Sequence, residues 1–303
     1  MSKRNELPTL PPQAKRHLGI KASNAIANAL IYALLVVITV VWLVPFVCIV
    51  LQSFRCESTW MVGYVIPKQW GFDNYVRLFT DTAFPTWYTN TFIIALVQSV
   101  GVTVVTLCMS YCLSRFRFKL RKPLMQMMLI LGMFPGMLGM IILYNVLKGF
   151  TPGSVGLTQG NAVPGLILVS IASSGMGYYV AKGFFDTIPK SLDEAARIDG
   201  ATRLQVLTKV ILPLAKPIVI YTILSAFMGP WGDFVFARYV AMGNVAGMNV
   251  AVGLNSWLSA DQIPYMYTQF CAGGVVVALP VTLLFIFLQK YYVEGVTGGA
   301  VKG

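Results

Sequence analysis

The sequence predicts an all-α polytopic membrane protein with six transmembrane helices, and three observations carry that expectation. Of 303 residues, 56% are hydrophobic and 11% are charged, against roughly 25% charged in ordinary soluble domains; the mean hydropathy is +0.70. Apolar runs near the ~20 residues that cross a hydrocarbon core recur six times along the chain. Lys and Arg concentrate in alternate connections, as retention of basic residues on the cytoplasmic face requires.

Residues 1–21, rich in Pro, Lys and Arg, read as a cytoplasmic N-terminal tail, and 22–303 as one integral-membrane domain. The first span covers about 29–51, inside a stretch from Lys21 to Arg55 with no charged residue between them. A cleaved leader would hold an apolar core of only about 7–15 residues, so this run reads as an anchor. Gln52 to Asn90 is aromatic-rich and suits the outer membrane surface, with Trp70-Gly-Phe-Asp-Asn-Tyr75 turning into a short helix. The second span, 91–113, is followed by a third, 124–147, that contains Gly132, Pro135, Gly136 and Gly139. Pro frees a backbone carbonyl and permits a bend, which makes Pro135 the hinge candidate.

The fourth span, 163–180, carries Ser170, Ser173, Ser174, Gly175 and Gly177, a face suited to close helix packing. The fifth, 218–235, ends in Pro230-Trp231-Gly232-Asp233. An ionisable residue at that depth is functional by default, so Trp231 and Asp233 are candidates for the mouth of a solute path. The sixth, 270–288, includes Pro280.

Orientation follows from charge. Lys3, Arg4, Lys15, Arg16, Lys21, the Arg115–Lys122 cluster, the loop 181–217, Lys290 and Lys302 share one side, which places both termini in the cytoplasm. The formal charge of +12 is then topology and contact with anionic lipid, not a nucleic-acid surface. Four of five cysteines fall in spans, so no disulfide framework is implied. Cys108 and Cys112 share a helix face, but the one histidine, His17, is far away; they read as packing residues, and no metal site is expected.

The loop 181–217 is charged and doubly punctuated. Ser191 and Glu194 have capping-box spacing, Gly200 stops the first short helix, Thr202 and Gln205 repeat the box, and Pro213 ends or redirects the second helix. Leu192, Ala195, Ala196 and Ile198 make a small apolar ridge rimmed by Asp193, Glu194, Arg197 and Asp199, the chemistry of an element that docks into a groove. The chain has no Gly-Lys dipeptide and hence no phosphate-cradling loop, no HExxH and no GxSxG. No catalytic residue is assigned.

Glu194-Ala195-Ala196, Gly200, Val210 and Leu212-Pro213 resemble the signature of membrane subunits of binding-protein-dependent ABC importers, with Val210 where Ile is usual. Phe184–Glu194 and the tail Glu294–Gly303 look like the carbohydrate branch, the six-span partner of the maltose-type permease pair. The resemblance implies the type I importer fold in a prokaryotic plasma membrane. It implies a second permease subunit, two ATPase subunits that bind the ATP and Mg, and an extracytoplasmic binding protein that delivers a carbohydrate such as a malto-oligosaccharide. Carried onto this chain, the ATPase-coupling set is Ser191, Asp193, Glu194, Ala195, Ala196, Arg197, Asp199, Gly200, Leu212 and Pro213. A permease for another small solute is the alternative. A stand-alone secondary transporter would show paired repeats and broken midplane helices, which are not evident. Asn90, Gln98, Tyr144 and Asn145 are residue types that suit a sugar, yet each reads first as an interhelical bond or an interface anchor.

Overall fold

The computed structural model describes residues 14–57, 64–133, 136–149 and 156–300; among them everything regular is helical apart from one isolated bridge between Arg55 and Trp70. Helix α1 runs Ala14–Ser53 and so begins inside the expected tail. No side chain in its most apolar window is buried against the rest of the chain, so hydrocarbon or another subunit must cover it. The expected surface helix follows as α2, Asp73–Thr80.

Helix α3, Phe84–Arg115, is the axis of the molecule. Pro85 sits in its first turn, where a missing N–H costs nothing. It packs on α6 (Ala162–Ser173), α7 (Tyr178–Thr187) and α11 (Lys216–Gly232). A Cβ added at Gly101 of α3 would lie 2.4 Å from Ile171, so the close approach to the fourth span is made from the α3 side. The small residues expected to make it, Gly175 and Gly177, have open space or ordinary contact around them.

The third span differs from expectation. Among the described residues it is two helices, α4 (Arg121–Gly132) and α5 (Gly136–Lys148), and Pro135, the hinge candidate, lies outside the described residues. Among the described residues nothing approaches within 4 Å of a Cβ built on Gly132 or Gly139, so those glycines make no close packing with them. The fourth span is α6 and α7 joined by a 3₁₀ turn, Ser174–Gly177. Between it and the fifth come α8 (Lys190–Ile198), α9 (Arg203–Gln205), a π-helical stretch (Val206–Ile211) and α10 (Leu212–Leu214). The rod Arg203–Leu214 meets α11 at a bend of 87°. Helices α12 (Val235–Ala241) and α13 (Val250–Ser256) then lead to α14 (Ile263–Ala300), which packs on α1 and α11. Among the described residues four helices are long and apolar enough to cross a membrane, or five if the bent pair counts as one; the remaining expected span, the third at 124–147, is the split α4–α5 pair.

Two apolar clusters hold this frame. One, at the α2 end, joins Phe84, Trp87, Phe227, Trp231, Val250 and Trp257. The other, at the opposite end, joins Leu107, Tyr111, Phe185, Val206, Ile211 and Ala215 beneath the charged loop.

Candidate functional site: the helical elbow

The loop expected to dock a partner folds as an elbow, and each of its stops has a local cause. Helix α8 ends in a complete Schellman motif. Ala201 N–H donates to the Ala196 carbonyl at 2.9 Å and Gly200 N–H to the Arg197 carbonyl at 3.1 Å, with Gly200 at φ +84°. The Thr202–Gln205 box forms as expected: Gln205 N–H donates to Thr202 Oγ1 at 3.3 Å, and Thr202 N–H to Gln205 Oε1 at 2.8 Å.

The box at Ser191 does not form. Pro189 occupies the N-cap with no side-chain cap, so the helix starts at Lys190, Ser191 falls inside its first turn and Glu194 is out of position to reach back. What fixes α8 instead is an ion pair. Arg115 Nε at the end of α3 lies 2.9 Å from Asp193 Oδ2, with side chains only 3% and 14% exposed. Arg115 Nη2 also donates to the Ile188 carbonyl at 3.0 Å, Ser114 Oγ to Asp186 Oδ1 at 2.6 Å and Tyr111 Oη to the Arg203 carbonyl at 3.2 Å. One turn of α3 therefore grips α7, α8 and the rod together. Burial pushes the Asp193 carboxyl above its ordinary range, with the Arg115 guanidinium pulling the other way.

Asp193 is thus an internal anchor and not a free docking charge. Ala196 turns inward onto the Phe185–Ile211 cluster, which corrects the expected ridge. Leu192, Ala195 and Ile198 remain exposed, with Ser191, Glu194, Arg197, Asp199 and Gly200 around them. Ile198 is 86% exposed, a large apolar side chain left for a partner. Leu212 and Pro213 bring the rod to the corner at Ala215, which is fully buried. Pro213 has no N–H for the carbonyl four residues back, and the preceding turns widen, with Leu212 N–H reaching back to Leu207.

At the other end, Trp231 is turned into the core. It is 7% exposed and packs on Tyr88 at 5.4 Å and Phe227 at 6.0 Å. Asp233 is half-buried beside a cavity of about 220 Å³ that Gln98, Ser170 and Asn249 also line. Asn249 ties that corner, donating to the Pro230 and Asp233 carbonyls at 3.2 and 2.6 Å. The residue types suited to a sugar are spent internally. Asn90 donates to the Ala246 and Met248 carbonyls, Gln98 to Ala226 and Asn145 to Ile141, while Tyr144 packs on Tyr239. A cavity of about 590 Å³ between α5, α12 and α13 has mostly Met, Val and Ile walls and offers few hydroxyl or amide groups.

The anchor Arg115 had no signal in the sequence beyond being one basic residue at a span end. The spacing of the elbow did. Residues 106–298 match the family described as binding-protein-dependent transport system inner membrane component. The chain belongs to that family. It is therefore a multi-pass membrane permease subunit, a component of a transport system and not an enzyme. Among its relatives, maltodextrin transport system permease protein MdxG of Bacillus subtilis (strain 168) is 35% identical, over 90% of this chain and 95% of its own length. Maltodextrin transport system permease protein MalD of Streptococcus pneumoniae (strain ATCC BAA-255 / R6) is 33% identical, over 94% and 99%. The fold is that of a type I importer membrane domain. A chain in the crystal structure of a bacterial ABC transporter involved in the import of the acidic polysaccharide alginate superposes with a TM-score of 0.68 at 22% identity, covering 94% of this chain and all of that one.

Proposed function

We propose that this permease component is one half of a membrane pair in an ATP-driven importer. It carries an oligosaccharide, of the malto-oligosaccharide kind, that an extracytoplasmic binding protein delivers. Its relatives named for maltodextrin and galactooligosaccharides support the solute class. The elbow is the element that receives the ATPase subunits, which hold the ATP and Mg, and it lies in the cytoplasm with both termini. A cysteine replacing Lys190 is then labelled only from inside and one replacing Gly160 only from outside; labelling of both from one side rejects this orientation.

The observation that carries the coupling role is Glu194. Its side chain is exposed and, among the described residues, makes no hydrogen bond or ion pair within the chain, so folding does not depend on it. Glu194→Lys leaves folding intact and reverses the charge offered to a partner. The expected outcome is a normal membrane level, sharply reduced ATPase co-purification and loss of uptake. A loop that merely lay on anionic headgroups would accept the extra positive charge, and wild-type co-purification and uptake in this variant would reject the coupling role.

A further inference from the structure

We propose that the recess between α8 and the end of α3 is a binding site for a phosphate group, supplied by an anionic lipid headgroup or by a soluble phosphate compound. The inference rests on the cytoplasmic placement of the elbow. The recess encloses about 550 Å³ and is walled by five cations, Arg115, Arg117, Lys190, Arg197 and Arg203. The carboxylates of Asp193 and Glu194 also line it; Asp193 is paired with Arg115, and its buried Oδ1 has no hydrogen-bond partner. Five positive groups against two negative ones leave the recess strongly cationic.

Two independent features point to a ligand. The Arg115 side chain is only 3% exposed and lines the recess; its Nε meets Asp193 and its Nη2 the Ile188 carbonyl, while Nη1 has no hydrogen-bond partner among the described residues. An unpaired buried guanidinium donor costs free energy that an anion would recover. Separately, α8 presents a first turn that no side chain caps. Leu192 N–H is bonded to the Pro189 carbonyl and Asp193 stands in the same turn, and the helix dipole still favours negative charge at that place. The wall is preorganised: the Arg203 guanidinium lies 4.8 Å over the Phe116 ring, which packs on Tyr111 at 5.4 Å. Several fixed N–H donors around one recess suit the oxygens of a phosphate, and basic pockets at the cytoplasmic ends of membrane helices hold phospholipid headgroups. Phe118 and Leu120 beside it are exposed apolar side chains placed to meet acyl chains.

The test uses the assembled transporter in neutral detergent, titrated in one arm with phosphatidylglycerol and in the other with inorganic phosphate. Bound ligand is counted by native mass spectrometry. Arg117 and Arg203 are exposed, so Arg117→Gln/Arg203→Gln is compared with wild type; Arg117→Gln alone leaves the Phe116 stack untouched and carries the same expectation to a lesser degree. Loss of one or two charge-assisted hydrogen bonds weakens binding by about tenfold or more. A wild-type excess in the lipid arm identifies a headgroup site, and one in the phosphate arm a soluble ligand. Equal binding by wild type and both variants in both arms overturns the proposal. The count is independent of uptake, so failure of the coupling role, read from Glu194→Lys, is separately visible.

Discussion

Gly200→Val is expected to abolish uptake while the membrane level of the protein stays near wild type. Gly200 sits at φ +84° with no atom of the described residues within 4 Å of an added Cβ, so the substitution meets no steric wall there. It meets conformational strain instead: a side chain in the left-handed region costs roughly 1–2 kcal/mol, and β-branching adds to that. The chain relieves the strain by leaving that region, which breaks the bonds from Gly200 to Arg197 and from Ala201 to Ala196. Ala196 and Ala201 both rest on the inner cluster, so α8 turns relative to the rod. The partner surface is skewed although every membrane helix is intact. Gly200→Asn tolerates the same backbone and should retain most uptake. Uptake assays normalised to immunoblotted membrane protein check both, and a Val variant that transports at the wild-type rate would falsify the geometric role of this turn.

Gly253→Ala should fail in the opposite way. A Cβ there lies 2.1 Å from Cδ2 and Cε3 of Trp87. That ring is 4% exposed and wedged against Trp257 at 5.2 Å, so it has no room to retreat. Overpacking of a filled core typically costs about 1–3 kcal/mol and occasionally more; with a rigid indole as the obstacle the cost lies at the upper end. The expected result is a melting temperature in detergent lowered by several degrees and a reduced membrane level, with any protein that does assemble still coupling normally. An unchanged melting temperature would contradict the packing described for α13 against α3.

These two glycines also mark what could be read from the sequence. Gly200 was legible because its cause is local: a short amphipathic helix, a Gly, then a second box at Thr202. The spans were legible because hydrocarbon imposes length and composition on them. Gly253 gave no signal, since its need arises only where α13 meets Trp87. In the sequence Arg115 is one more orientation-setting charge; its pairing with Asp193 depends on α3 and α8 meeting in space. The N-cap position of α8 falls to Pro189 and not to Ser191, so the spacing of the Ser191–Glu194 pair is present in the sequence without the box it suggests. Trp231 has the residue type of an interface anchor and lies in the core because Tyr88 and Phe227 approach it from α3 and from its own helix.

The corner at Ala215 works as a bell crank. The rod Arg203–Leu214 and helix α11 meet at 87°, and two prolines, Pro213 and Pro217, flank a fully buried Ala215 between them. At ~1.5 Å per residue the rod is about 18 Å long and the 17-residue α11 about 25 Å. With the corner held rigid, a displacement of about 1 Å at the elbow end of the rod, normal to it, swings the far end of α11 sideways by about 1.4 Å. A push across the rod thus becomes a sideways stroke at Trp231 and Asp233. Stiffness at this corner, more than the length of any span, sets how much of a displacement at the elbow arrives there.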